Sequence, residues 1–264
     1  VPSIKQKGWG GIMAVIAVVN RKGGSGKSTL ATHIACHMAM QGLEVMLGDV
    51  DRQQSSRLWL SLRPDTLPKI HGWTIDDRNF ARPPAGVKHV VLDTPGGFQG
   101  VALMKVALYA DAILTPATPS LFDRQAAADC VKELRTQPRV QTGKCRIASI
   151  GMRIDGRTKN AALLAEWAAG LSLNHLGTIR EAQAYARCLE QGMSLFDMPP
   201  AKVANYLPEW APITGWLDEI LAGAPAPEAE RAEPLKSRVL SKPLNALNAV
   251  AAPPQIQAPA FLRA

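Results

Sequence analysis

The chain reads as an α/β fold, a doubly wound and mostly parallel β-sheet with helices on both faces. Three observations lead there. Short, continuously apolar runs of the kind that form strands buried on both faces recur along the sequence. Segments with helical apolar spacing alternate with them, which is the pattern of strand–helix–strand crossovers. Hydrophobic residues make up 47% of the 264, enough to bury one large core.

The first apolar run, Met13 to Val19, predicts a strand, and Leu30, Ile34 and Met38 share one face of a helix that ends near Gly42. Between them lies Asn20-Arg21-Lys22-Gly23-Gly24-Ser25-Gly26-Lys27-Ser28-Thr29. Glycines at 23, 24 and 26 let the main chain approach a polyanion and offer it backbone N–H groups. The helix start adds its own free N–H groups and partial positive charge. Lys27 can then reach the β and γ positions of a triphosphate, and the Ser28 hydroxyl can ligate Mg²⁺. The segment from Lys22 to Thr29 is therefore a candidate nucleoside-triphosphate site of the P-loop type.

A second strand, starting at Val45, ends in Asp49-Val50-Asp51. Its two carboxylates are expected on alternate faces, one toward the γ-phosphate to orient water and one anchoring the adjoining segment. A third apolar run, Val90-Val91-Leu92, delivers Asp93 to its carboxyl end, where a carboxylate sits near a metal at the rim of a parallel sheet. Further strands are read at Ala112 to Pro116, Arg146 to Met152 and Leu176 to Ile179. Helices are read at Leu121 to Gln137 and at Thr158 to Leu171, the latter with Leu163, Leu164 and Trp167 on one face. Trp210 and Trp216, spaced with Leu217 and Ile220, are expected to pack a closing helix onto the sheet, and Trp59 is the candidate for an aromatic that faces a partner.

Three of these boxes carry a family resemblance. Lys22 to Ser28 resembles the deviant Walker A box of the ParA/MinD ATPases, Lys-Gly-Gly-x-Gly-Lys-Ser/Thr, with Arg21 where the usual loop begins with glycine. Asp49 to Gln54 is similar to the family's Asp-x-Asp-Pro-Gln segment, with Arg52 in place of proline, and Val90 to Gly97 is similar to its Walker B box. Thr115 to Ser120 with Asp123, and Tyr185 to Phe196, resemble later family segments. The likeness runs from about Met13 to Leu221 and is strongest to short partition ATPases that lack an N-terminal helix-turn-helix domain.

The resemblance implies a slow ATP hydrolase, stimulated by a partner and by DNA, that uses ATP and Mg²⁺. It implies that Lys22 crosses a face-to-face homodimer to the partner's phosphates, that Lys27 and Asp49 serve catalysis with Asp49 orienting water, and that Ser28, Asp49 and Asp93 surround the metal. Lys22 to Thr29 are expected to bind the phosphates, and a place beside the base is the alternative for Arg153 to a DNA contact. A cargo adaptor, ParB-like or another small protein, and a plasmid, chromosome or protein complex as cargo are implied as well. The alternatives left open are a membrane-associated MinD-like regulator and an ATPase serving conjugation or organelle positioning.

The formal net charge is +8. Lys5 and Lys7 at one end, and the excess of Arg231, Lys236, Arg238, Lys242 and Arg263 over Glu228, Glu230 and Glu233 at the other, leave a basic core. Such a core suits salt-sensitive, non-specific DNA binding. Arg153, Arg157, Lys159, Arg180 and Arg187 are the candidate contacts, with ion pairing of Arg180 and Arg187 to Glu181 and Glu190 as the competing role. Cys36, Cys130, Cys145 and Cys188 form no Cys-x-x-Cys pair, so neither a disulfide framework nor an iron–sulfur cluster is suggested. His33, Cys36 and His37 share a helix at metal-like spacing, but packing is the expected role. Residues 1–12 are expected to be a leader, disordered or a non-native start. Residues 13–221 are expected to form the ATPase domain, and residues 222–264, rich in Ala and Pro, a flexible tail. No apolar run is long enough to span a bilayer, and the charged opening segment lacks a signal-peptide core, so a cytoplasmic protein is expected, and the family resemblance implies association with the nucleoid rather than a membrane. The tail segment Leu235 to Leu240 breaks at Pro243 and makes a poor amphipathic membrane helix.

Overall fold

The computed structural model describes residues 14–51, 54–74 and 89–223. The expected leader and, from residue 224 on, the expected tail lie outside the described residues, as do Arg52 and Gln53. In chain order the strands are β1 (Ala14–Val18), β2 (Val45–Asp49), β3 (Ile70–Thr74), β4 (His89–Asp93), β5 (Ala112–Ala117), β6 (Arg146–Met152) and β7 (Asn174–Ile179). The helices are α1 (Lys27–Met40), α2 (Ser55–Leu62), α3 (Val101–Tyr109), α4 (Leu121–Leu134), α5 (Pro138–Gln141), α6 (Lys159–Gly170), α7 (Gln183–Leu189), α8 (Pro200–Val203) and α9 (Leu207–Leu221). A 3₁₀ turn, Leu195–Asp197, precedes α8.

The strands form one seven-stranded sheet in the order β3-β2-β4-β1-β5-β6-β7, and every pairing is parallel. Alternation along β1 divides the core. Ala14, Ile16 and Val18 pack with α1 and α9, and Val15, Ala17 and Val19 pack with residues of α3 and α4. From β1 the chain crosses to β2 through α1, and from β4 it crosses to β5 through α3 on the opposite face. The two crossovers diverge at β1 and β4, so the carboxyl ends of these strands open a crevice of the kind in which doubly wound sheets bind ligands.

Several helices differ from the expectation in instructive ways. The spacing predicts one apolar face for α1, yet the helix is buried nearly all round, with Thr32, His33 and Cys36 inside alongside Leu30, Ile34 and Met38. It is covered by the sheet on one side and by α9 and the 3₁₀ turn on the other. Trp210 and Trp216 do pack inward on α9, at 1% and 4% exposure. Trp59 is not a partner-facing aromatic. Only 4% exposed, it is buried against the late segment of the chain, and its indole N–H donates to the Met193 carbonyl at 3.2 Å. The α4 helix stops at Leu134, three residues before the predicted end, because Pro138 starts a separate turn.

Candidate functional site

The glycine loop runs from the end of β1 into α1, and its shape is set by bonds that reach across the sheet. Asn20, fully buried, donates its side-chain amide to the Pro116 carbonyl at the end of β5 (2.5 Å) and accepts the Lys22 N–H on Oδ1 (2.9 Å). Thr94, just past β4, donates its hydroxyl to the Val18 carbonyl (2.7 Å), and Gly97 donates its N–H to the Arg21 carbonyl. The loop is thus stapled to both neighbouring strands. Gly26 has a φ of 93°, and a Cβ there would sit 2.7 Å from the Met152 Cε, so a side chain is disfavoured twice at the helix start. No side chain caps α1 and no acidic residue occupies its first turn, leaving its N-terminal dipole available to an anion.

A cleft of about 740 Å³ opens over this loop, lined by Gly23 to Thr29 together with Val50, Asp51, Ser55, Pro95, Gly96 and Arg153. That volume lies in the range of small-ligand sites. Lys27 is 6% exposed, and its ammonium donates to the Lys22 carbonyl at 2.9 Å. Burial lowers its pKa, against the opposing pull of Asp93 and Asp51. A desolvated lysine held among backbone carbonyl and N–H groups is well placed to exchange that carbonyl for a phosphate oxygen.

The sheet register brings the carboxylates together. Asp49 pairs with Asp93 across β2 and β4, and Asp93 pairs with Val18 across β4 and β1. Asp93 is fully buried, and burial pushes its carboxyl up to about 6 while the Ser56 and Ser28 hydroxyls work against that rise. Its Oδ2 accepts the Ser56 hydroxyl at 2.6 Å, whereas its Oδ1 is buried without a hydrogen-bond partner among the described residues. An orphaned carboxylate oxygen near a serine hydroxyl and a phosphate cleft fits Mg²⁺, which binds through one or two protein oxygens, phosphates and waters. Ser28 and Asp93 are the residues that can hold it.

Asp49 and Asp51 are not on alternate faces of one strand: residues two apart share a face, and here β2 ends at Asp49 with Asp51 in the bend beyond it. Asp49 accepts the Asp51 N–H on Oδ1 (3.0 Å) and the Arg57 N–H on Oδ2 (3.1 Å). Burial raises its pKa and these N–H groups oppose the rise. Asp51 is the one of the two that lines the cleft.

Lys22 lies at the outer edge of the loop with its side chain 42% exposed, and its ammonium pairs with Asp123 at the start of α4. Asp123 also accepts the Thr118 hydroxyl. Burial opposes its ionisation, but Lys22 and Thr118 outweigh that and hold its carboxyl below the usual range. Arg21 pairs with Glu133 further along α4. His33, in contrast, is fully engaged in packing. Its Nδ1 bonds the Thr29 carbonyl (2.8 Å), its Nε2 accepts the Leu195 N–H (3.3 Å), and its ring stacks on Trp210.

The basic candidates gather at the carboxyl ends of β6 and β7. Arg153, with a φ of 60°, lines the cleft, while Arg157 and Lys159 are exposed just beyond it. The Ile154 N–H donates to the Ile179 carbonyl (3.0 Å), which ties this loop to the strand leading into Arg180. Arg157 pairs with Asp155 at 2.7 Å, and Arg187 is exposed on α7. Arg180 pairs with Glu209 on α9 rather than with Glu181. Sequence reasoning missed Asn20, Thr94 and Ser56. The first two adjoin motifs and could have been flagged as polar residues in apolar context, but the contact of Ser56 with Asp93 spans 37 positions and carries no local signal.

Such a cleft, at the divergence of two crossovers with a lysine at the start of α1 and a carboxylate at the end of β4, is that of a P-loop nucleoside-triphosphate-binding protein. More narrowly, the CbiA profile, described as the CobQ/CobB/MinD/ParA nucleotide binding domain, matches residues 16–196, and the chain belongs to that family. It is 25% identical over 191 residues to the maintenance of carboxysome distribution protein A of Halothiobacillus neapolitanus, covering 69% of this chain and 87% of that protein. The protein of the same name from Gloeobacter kilaueensis is 32% identical over 118 residues, which is 41% of this chain, and the match spans about half (51%) of that relative's length. Among solved structures, an ATP complex of Cyanothece McdA aligns with a TM-score of 0.60 at 18% identity, over 83% of this chain and 99% of that one. At that identity the likeness is one of fold. No helix among the described residues is long and apolar enough to cross a membrane.

Proposed function

We propose that the protein is a ParA-like ATPase whose two ATP-bearing faces meet in a homodimer, which binds DNA non-specifically and positions or segregates a cargo through partner-stimulated hydrolysis. The observation that carries this reading is the division of labour between two lysines on one loop. Lys27 is buried in the cleft, whereas Lys22 sits at its rim, half exposed and held by a carboxylate of its own subunit. A second cation is not needed to hold a phosphate that Lys27 and the α1 N-terminus already serve. It is needed where two triphosphates face each other, since each subunit must then supply positive charge to the other's ligand.

In this reading Lys22 exchanges Asp123 for a phosphate of the partner subunit, so dimerisation depends on the bound nucleotide. Ser28 and Asp93 would hold Mg²⁺, which when bound would neutralise phosphate charge. Asp49, fixed by the N–H groups at the start of α2, orients water, and Asp51 faces the cleft beside it. Arg153 contacts the nucleotide or DNA at the rim, and Arg157, Lys159, Arg180 and Arg187 supply the DNA-facing charge. The carboxysome-distribution relatives support a protein complex as a class of cargo alongside DNA.

Light scattering with ATP, ADP and no nucleotide tests the dimer. The wild type is expected to dimerise only with ATP, and Lys22→Ala to keep nucleotide binding while losing the dimer. An intact ATP dimer of Lys22→Ala would refute the role of that lysine. Retention assays on random DNA and on liposomes in the same nucleotide states separate the readings of the cargo surface. ATP-dependent retention on liposomes but not on DNA would replace this proposal with a membrane-associated one.

A further inference from the structure

We propose that Ser56 is a positioning residue for Asp93, fixing one carboxylate oxygen so that the other is presented to the metal. The contact is short and buried. The Ser56 hydroxyl, fully excluded from solvent, donates to Asp93 Oδ2 at 2.6 Å, and Oδ1 is left as the buried oxygen without a partner among the described residues. A carboxylate at the end of a strand can rotate about its terminal torsion, whose wells are broad and roughly two-fold. A single strong donor on one oxygen removes that freedom and decides which oxygen remains available. Hydrogen bonds to charged groups are the strong class, and partners of metal ligands act by orienting them.

The donor is itself held by a rigid element. Ser56 lies in the first turn of α2, whose start is anchored by the Arg57 N–H on Asp49. At the far end of the helix Arg63 forks onto Asp197, with N–O distances of 2.8 and 3.1 Å, and also donates to the Gly192 carbonyl at 3.2 Å. Those side chains are 5% and 0% exposed. Trp59 adds its bond to the Met193 carbonyl. The hydroxyl therefore reaches Asp93 from a helix clamped at both ends, so its position is inherited from the core rather than from a loop. A serine in the first turn of a helix has no i−3 or i−4 carbonyl of that helix to bond. This one instead spends its proton on the carboxylate of the metal side.

The inference rests on the reading of the cleft as a Mg²⁺–nucleotide site. Its test uses Mn²⁺ as the probe, titrated into the full chain with ADP and followed by electron paramagnetic resonance, alongside fluorescent-ADP affinity in EDTA. Ser56→Ala is expected to weaken Mn²⁺ binding about 10- to 100-fold while leaving metal-free ADP affinity within about threefold, because the loop and Lys27 are untouched. Ser56→Thr keeps the hydroxyl and should stay near wild type. If Ala at this packed position unfolds the protein, Ser56→Cys, of similar volume but a weak donor, takes its place with the same expectation. Wild-type Mn²⁺ affinity in the Ala or Cys variant would overturn the role of Ser56 while leaving the nucleotide reading intact. Absence of metal-dependent ADP binding in the wild type would overturn both. Equal loss of metal-dependent and metal-free ADP binding in Ser56→Ala would mark the serine as merely structural and reject the proposal.

Discussion

The two halves of the sheet handle charge in opposite ways. On the β2, β4 and β1 side, Asp49 and Asp93 are buried at strand ends and Lys27 at the start of α1, and the two carboxylates are gripped by groups from α2. On the β6 and β7 side, Arg153, Arg157, Lys159 and Arg187 stand in solvent, and Arg157 and Arg180 each lean on one nearby carboxylate. Buried charges interact in low dielectric and cost several kcal/mol when left unpaired, whereas exposed pairs contribute about 0 to 1 kcal/mol. The first half is therefore built for a fixed geometry around a small polyanion. The second is built for a broad surface whose attraction is summed, screened by salt and tolerant of any single loss.

The largest test of this contrast is Lys27→Ala. Removing this buried cation is expected to weaken ATP binding by about 100- to 4000-fold, as calorimetry would read it, since charge pairs in buried surroundings cost about 3–5 kcal/mol when one partner is deleted. A loss of only a few-fold would mean that the loop's N–H groups, and not the lysine, hold the ligand.

Next in size is Gly192→Ala, which probes the clamp that carries α2. Gly192 has a φ of 65°, and a Cβ there would come within 2.3 Å of the Arg63 backbone nitrogen. The strained backbone and the forced separation should together cost at least about 2 kcal/mol, lowering the melting temperature by about 4 to 8 °C for a domain of this size. Thermal unfolding measures it. A shift in metal-dependent nucleotide binding larger than the shift in stability would tie the clamp directly to the site.

The smallest effects belong to the basic edge. Arg180→Ala and Arg187→Ala, one at a time, are expected to reduce DNA retention only a few-fold. Each should lower the slope of log affinity against log salt by about 1 if it meets a phosphate. Arg180 is the sharper case, because Glu209 already engages it. An unchanged salt slope in Arg180→Ala would assign that arginine to the α9 contact and remove it from the DNA surface.

How legible all this was in the sequence differs by region. The glycine loop and the strands β1, β2, β5 and β6 could be read directly, because apolar runs bounded by turn residues and glycines at fixed offsets are local signals. The short helix α2 and the edge strand β3 were not read at all. The α2 helix spans eight residues, and β3 carries His71 and Gly72 within its five, so neither has a period long enough to detect. Trp59 was placed wrongly for a related reason. An isolated aromatic after a motif looks exposed until the segment around Met193, 134 positions away, is folded over it.

By itself the sequence determined that there is a phosphate loop, that it carries two lysines, and that two carboxylate-tipped strands accompany it, because each of these is written within a dozen neighbouring residues. Only the tertiary structure decided that Asp49 and Asp93 stand abreast, that Ser56 bonds the second of them, and that Lys22 rests on Asp123. The physical reason is strand order. Placing β4 between β2 and β1 is a choice made by right-handed crossovers and by burial on both faces of the sheet, and no local pattern of residues encodes which strand ends become neighbours.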